Sequence, residues 1–237
     1  MHWKGAILSS VEELLAKWRK DDRRSLLRRI RNLEKKFHGK IEFVIYKQKG
    51  EVKKALQDAE EIAKKSYQRV LGVGFRDNNE NLERYTLQAN RGLFRAYLLY
   101  IDDKPCCFQM AEIYGDTFYF NSTAYDNEFK EFSPGIIMYY KIYEELCKEE
   151  GIKKLDFGFG DAYYKHRFCD HFVEVSHVYI FAFTFYGIFL NIIRTIIGKI
   201  SLFMKYILVK YHLMTLIKRI WRNLLRENKY QHMNQTK

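Results

Sequence analysis

Asp161, Tyr164 and Lys165 place a carboxylate, a phenol and an ammonium within one short stretch, directly after the glycine-broken run Phe157-Gly158-Phe159-Gly160. The carboxylate can take a proton from an incoming nucleophile, the phenol can return one to a leaving group, and the ammonium can steady developing negative charge. Glu112, with Gln109 nearby on the same strand-like run, adds a further polar candidate. Each residue also has an ordinary role open to it. Asp161 can cap a helix, Lys165 can be its i,i+4 partner, Tyr164 can be a core aromatic, and Glu112 and Gln109 can simply face solvent. His166, Cys169 and His171 match no standard zinc frame and lack a fourth ligand, so no metal is expected.

A second constellation lies upstream at Ser133-Pro134-Gly135. Ser133 suits an N-cap and Pro134 a first helical position, where a missing N–H costs nothing. Apolar residues then recur at three- and four-residue steps through Ile136, Ile137, Tyr140, Tyr143 and Leu146, predicting an amphipathic helix that ends near Gly151. No Glu or Gln stands at the third helical position to fold back, so the amides of Gly135, Ile136 and Ile137 are expected to face an outside anion. A phosphate fits such a helix tip. An ordinary capped helix is the alternative.

The elements that must position these residues follow from turns and alternation. Strands are expected at 93–101, 106–114 and 117–124, separated by Asp102-Asp103-Lys104-Pro105 and Gly115-Asp116. A short buried strand at 154–158 leads through Phe159-Gly160-Asp161 into a helix at 162–168 capped by Asp161, and 179–185 reads as a last strand. The strands before and after the Gly135 helix can lie side by side in parallel, with that helix as their crossover. Ligands favour the carboxyl ends of such strands. Nearer the start, 11–37 reads as a basic amphipathic helix, 41–45 as a strand, 51–70 as a helix, and the Gly- and Asn-rich segment 72–81 as a loop. Gly72-Val73-Gly74 is a weak phosphate signal, since no third glycine opens a helix after it.

Asn90-Arg91-Gly92-Leu93-Phe94-Arg95-Ala96-Tyr97-Leu98-Leu99, then Tyr125-Asp126 before Ser133-Pro134-Gly135, then Leu155-Asp156-Phe157-Gly158-Phe159-Gly160-Asp161 with Tyr164-Lys165, resemble the CelD-like branch of the GNAT acyltransferase superfamily. The likeness runs from about residue 14 to 185. It implies an α/β (α+β) fold with a mixed, mostly antiparallel GNAT-like sheet flanked by helices. It also implies an acetyl-CoA or other acyl-CoA donor, with its pyrophosphate on Ser133, Pro134, Gly135, Ile136 and Ile137. The pantetheine arm would lie between the strands ending near Ala124 and Phe159. The implied reaction is N- or O-acyl transfer to a sugar or to a cell-envelope or exopolysaccharide-related acceptor, with Asp161 as base or acceptor binder, Tyr164 as acid and Lys165 as electrostatic stabiliser. Phe132 stands where many superfamily members carry Arg or Gln. The branch's usual preceding GNAT-like half does not fit in this chain, and the helix and strand of 10–46 read as its remnant. Two other classes stay open: a FemAB-like, tRNA-dependent aminoacyl transferase and a degenerate, non-catalytic binding module.

The expected organisation is thus an N-terminal helix and strand at 1–50, a GNAT domain at 51–185 and a basic hydrophobic helical tail at 186–237. A hydrophobic fraction of 47% with 16% aromatic residues argues against disorder, and the two prolines exclude a proline-rich linker. The four cysteines form no C-x-x-C frame and 1–10 holds no sustained apolar run, so reduced thiols and a cytoplasmic location are expected. The net charge of +12 concentrates in the N-terminal helix and in an expected helix at 187–225. The apolar run 178–193 is short for a membrane span and contains Asn191. That tail can lie on an anionic membrane surface or pack on the domain as a long solvated helix. A homo-oligomer is compatible with the absent half, and tRNA is the runner-up partner.

Overall fold

A computed structural model describes residues 1–176 and 178–211. It divides into two compact units, Met1–Val175 and Ser176–Lys237. The first unit begins with strand β1 (His2–Ala6), helices α1 (Val11–Lys17) and α2 (Lys20–Lys36), and strand β2 (Ile41–Tyr46). Helices α3 (Val52–Lys65), α4 (Tyr67–Val70) and α5 (Asn79–Asn90) come next, followed by strands β3 (Phe94–Ile101), β4 (Lys104–Tyr114) and β5 (Thr117–Tyr125). A 3-10 segment (Asn127–Phe132) leads into helix α6 (Pro134–Leu146), strand β6 (Lys154–Phe159), helix α7 (Lys165–Phe168) and strand β7 (His171–Val173).

The seven strands form one sheet in the order β2-β3-β4-β5-β6-β1-β7. All neighbours are antiparallel except β5 and β6, which run parallel with α6 as their crossover. The expected meander therefore forms, turned at Asp102 and Asp103, whose φ angles of 52° and 61° match a hairpin turn that favours Asp, and at Gly115, with φ 60°. Alternation along the strands feeds two layers of core. Tyr97, Leu99, Cys107 and Phe118 face α1, α2 and α6, while Ala96, Leu98, Phe108 and Met110 face α3 and α5.

Several elements differ from the sequence expectation. The helix foreseen over 11–37 breaks at Trp18, which takes extended angles (φ −79°, ψ 153°) and turns its ring inward. There the indole N–H donates to the Arg167 carbonyl at 2.8 Å and the ring meets Phe168 edge-on. The helix foreseen over 51–70 breaks at Ser66, likewise extended, where amide and hydroxyl both donate to the Ala63 carbonyl. Residues 79–90, read within or beyond a loop, form α5, capped by the Asn78 carboxamide on the Asn81 amide. β1 was not foreseen. It alternates Trp3 and Gly5 inward, and Gly5 admits the Phe168 carbonyl so closely that a Cβ would lie 2.7 Å from it. No strand forms at 179–185; the place beside β1 goes to His171–Val173. Alternation alone makes a strand only where another strand's edge receives it.

In the second unit, helix α8 (Phe185–Lys210) is capped by the Thr184 hydroxyl accepting from the Gly187 amide at 3.1 Å. Residues 176–211 contain Arg194, Lys199, Lys205 and Lys210 and no acidic residue. Gly187, Asn191, Arg194, Gly198, Ser201 and Lys205 follow at steps of four and three, so they share one face. Large apolar residues such as Phe189, Ile196, Ile200 and Phe203 are exposed elsewhere on the helix. Among the described residues no helix is long and apolar enough to cross a membrane. The part of the expected 187–225 helix beyond residue 211 lies outside the described residues.

Candidate active site

β5 and β6 pair only through Thr117, Phe118 and Tyr119 with Lys154, Leu155 and Asp156. β5 then continues to Tyr125 and β6 to Phe159 without further pairing, so the two strands part toward their carboxyl ends. Aromatic rings hold them apart on the α6 side. Phe120 stacks on Phe157 with centroids 3.9 Å apart, Tyr139 meets both edge-on at 5.6 Å, and Tyr164 stacks on Tyr139 at 4.8 Å.

A cavity of about 340 Å³ opens there. Thr123, Ala124 and Tyr125 of β5 form one wall, Tyr139 and Tyr164 lie on the α6 and α7 side, and Ser66, Tyr67 and Gln68 close another wall. The break at Ser66 is what brings Tyr67 and Gln68 to it. Asp126, buried, anchors that corner: it accepts from the Glu128 amide at 3.0 Å and lies 3.4 Å from the Lys65 ammonium. The far end is formed by Lys130, Ser133, Gly135 and Ile136.

The helix tip differs from its expected form in detail. Ser133 does occupy the N-cap position, but in the left-handed region (φ 54°, ψ 57°) and without a side-chain cap bond. Its hydroxyl accepts from the guanidinium of Arg29 on α2 instead. The Ile136 amide donates to the Ser133 carbonyl at 3.1 Å and the Ile137 amide reaches the same oxygen at 3.5 Å. Of the three amides expected to be open, only that of Gly135 remains without a partner among the described residues. The Ile137 contact is the ordinary first bond of a helix to its N-cap carbonyl, and the tight first turn brings the Ile136 amide to the same oxygen. Phe132 is buried against Phe37, centroids 5.7 Å apart. Glu131 is engaged by Lys36 at 2.7 Å, and neither it nor Glu128 lines the cavity.

The four sequence-predicted catalytic residues separate. Tyr164 lines the cavity. Burial pushes its phenol above the ordinary tyrosine value, with its hydrogen bond to Tyr139 opposing that shift, so it is a protonated donor at neutral pH. Asp161 is not the cap of α7, whose N-cap is Tyr164; its carboxylate lies 2.9 Å from His166 Nε2 on an exposed loop. The chain leaves β6 through Gly158 and Gly160, both at positive φ (64° and 88°), which keeps Asp161 out of the helix. Lys165 is buried and turned away from the cavity. Its ammonium donates to the carbonyls of Phe157 (2.8 Å), Phe159 (2.7 Å) and Gly160 (3.1 Å), with that of Gly158 at 3.3 Å. Glu112 is bonded to the Gln88 amide of α5 and sits opposite Tyr119, at the closed end of the strand pair. Alternation puts it on the α5 face, so it does not join Tyr164. Gln109 is buried and donates to the Met110 carbonyl.

Sequence reasoning missed Arg29, Lys130, Thr123, Tyr139 and the wall residues Ser66, Tyr67 and Gln68. It also missed a pair at the fork of the strands, where His2 Nε2 lies 2.6 Å from the buried Asp156 carboxylate. A lone charge inside the run Leu155-Asp156-Phe157 was the available signal, because a buried carboxylate requires a partner. All four cysteines are free thiols. Burial raises each, Cys169 to about 12, so none is a ready nucleophile. Among the described residues no cluster of three or more His, Cys, Asp or Glu could hold a metal ion.

A sheet split between two parallel strands, with a cavity running from the split to a crossover-helix tip, is the architecture of a GNAT-type acyltransferase. The chain belongs to that family: residues 20–166 match the Acetyltransferase (GNAT) domain. The solved structure of FemX is similar, with a TM-score of 0.50 and 13% identity over 68% of this chain and 53% of that one. A conserved protein of unknown function from Bacteroides thetaiotaomicron gives 0.46 and 11%, over 66% of this chain and 49% of that one. An aminoglycoside acetyltransferase from an uncultured soil metagenomic sample, in complex with sisomicin, gives 0.46 and 11%, over 62% and 97%. The chain spans about half the length of the first two. No curated protein sequence matches it.

Proposed function

We propose that the protein transfers an acyl group from acyl-coenzyme A to a nitrogen or oxygen of a sugar or envelope-related acceptor. The observation that carries this reading is the parting of β5 and β6 over a cavity whose far end presents the open Gly135 amide beside Lys130. Residues of this chain fit such a donor. The Gly135 amide and Lys130 suit a diphosphate, and the β6-facing edge of β5 near Thr123–Tyr125 offers unpaired peptide groups to an amide-bearing arm. In the reaction the acceptor attacks the thioester carbonyl carbon and the carbon–sulfur bond breaks. Tyr164 gives its proton to the departing sulfur, and the acceptor's proton passes to solvent water at the open mouth of the cavity. Lys165 positions the turn that leads from β6 to Tyr164.

Calorimetric titration of the folded protein with acetyl-CoA is expected to show binding at micromolar concentration. Silence up to high micromolar would remove the donor from the reading. The alternative, tRNA-dependent aminoacyl transfer, draws on the exposed cations Arg24, Arg28, Arg31 and Lys35 of α2. Tight tRNA binding that collapses with added salt, without acetyl-CoA binding, is the outcome that favours it.

The same reading places the protein at the inner face of a membrane. α8 supports this with its exposed apolar residues and its cations unaccompanied by any acid. Each basic residue near an anionic surface contributes roughly 1 kcal/mol. The full chain is expected to co-float with vesicles containing phosphatidylglycerol and to be released by salt. Equal partition onto neutral phosphatidylcholine vesicles would contradict an electrostatic attachment.

A further inference from the structure

We infer that Arg29 of α2 is a ligand of the donor's diphosphate, so that the N-terminal helix is part of the binding site. The inference rests on the acyl-CoA reading. One open amide is little to set against a doubly charged diphosphate, and among the described residues the only cation lining the far end of the cavity is the exposed Lys130. Arg29 stands directly behind that end. Its guanidinium donates to the hydroxyl of Ser133, and Ser133 lines the cavity.

The C-terminal end of the helix that carries Arg29 is fastened to the segment before Ser133. Phe37 packs on Phe132 and Phe129, and Lys36 pairs with Glu131. The guanidinium is therefore set in place before any ligand arrives. It is also unspent. Arg69, Arg95 and Arg167 each pair with a carboxylate, whereas Arg29 has none among the described residues. Besides Ser133 its only other bond among the described residues is a long one, 3.4 Å from Nε to the Ser25 hydroxyl. A guanidinium has five donors, so most of its capacity is left for an anion. Of the carboxylates shortly before Ser133, Asp126 is held by Lys65 and Glu131 by Lys36. Ser133 completes the argument: a serine in this position ordinarily caps its own helix, yet here the hydroxyl turns to Arg29 and the Gly135 amide stays open.

Binding of coenzyme A and of dephospho-coenzyme A, both of which contain the diphosphate, tests this in wild type, Arg29→Gln and Arg29→Lys. Loss of a charge-assisted bond to a phosphate predicts that Arg29→Gln weakens both ligands by about 10- to 100-fold and flattens the salt dependence. Arg29→Lys should recover most of the affinity because it keeps the charge. Thermal unfolding of each variant separates ligand loss from loss of fold. A wild type that binds neither ligand defeats the acyl-CoA reading and this inference together. A wild type that binds both, with Arg29→Gln unchanged, defeats the inference alone. So does a loss of affinity that Arg29→Lys shares in full and that tracks a drop in melting temperature, which would make Arg29 a structural clamp on Ser133. A loss confined to coenzyme A would move Arg29 to the ribose phosphate and overturn the diphosphate assignment.

Discussion

Gly135→Glu abolishes donor binding while leaving the protein as stable as before or slightly more so. The opposite signs follow from one position. A Cβ built on Gly135 meets only Tyr125 Cδ1, at 4.0 Å, and the glycine is not at positive φ, so a side chain is accommodated without strain. Glutamate in the first turn of a helix interacts favourably with the dipole, and it replaces a residue with poor helix propensity. The same carboxylate enters the cavity end where a diphosphate is held. Two unit charges at about 4 Å and an effective dielectric of 20 repel by roughly 4 kcal/mol, which is about a thousandfold in affinity. Gly135→Gln, of the same bulk but neutral, should lose far less. Titration with coenzyme A and a thermal melt on the three proteins decide the matter. Unchanged affinity in Gly135→Glu, or equal losses in the Glu and Gln variants, would remove the charge-based account of the cradle.

The parts of this site that sequence could show were those encoded locally. Ser133-Pro134-Gly135 marks a helix start by the conformational limits of proline and the capping habit of serine, and α6 begins where those limits place it. The meander β3–β5 was legible because Asp102-Asp103 and Gly115 supply the positive φ angles that tight hairpins need. The parallel placement of β5 and β6 followed from topology, since a helix between two strands can return the chain in the same direction. What stayed hidden depends on residues distant in the chain. Nothing near Ser133 announces that Arg29 will take its hydroxyl or that Ser133 will adopt left-handed angles. His2–Ala6 carries no strand pattern of its own; it is a strand because the β6 edge receives it and because Gly5 lets the Phe168 carbonyl approach. Asp161 and Lys165 have the spacing of a helical ion pair, but Asp161 follows two glycines at positive φ and helix α7 begins only at Lys165, so no helical turn joins them.

Lys165 is 4% exposed and its ammonium is surrounded by backbone oxygens at the exit of β6, so its removal should be felt first as stability. Burial alone pulls its pKa below the usual lysine value. The carbonyls act against that pull, because a protonated amine offers three donors to them. Lys165→Met keeps most of the aliphatic stem and deletes those donors. Net contributions of hydrogen bonds to a charged group run to about 1.5–3 kcal/mol, and leaving carbonyls unsatisfied adds to the loss, so a destabilisation of about 3 kcal/mol is expected. At this chain length that corresponds to a melting temperature lower by roughly 6–12 °C. The turn through Gly158 and Gly160 would also loosen, and with it the stack of Tyr164 on Tyr139. Denaturant titration measures the stability, and turnover by the folded fraction measures the chemistry. If Lys165 instead stabilised charge on the reacting thioester, Lys165→Met would keep its unfolding midpoint and lose turnover. A stability within about 0.5 kcal/mol of wild type, in the range of an ordinary surface change, together with lost turnover, would therefore return Lys165 from the loop to the reaction centre.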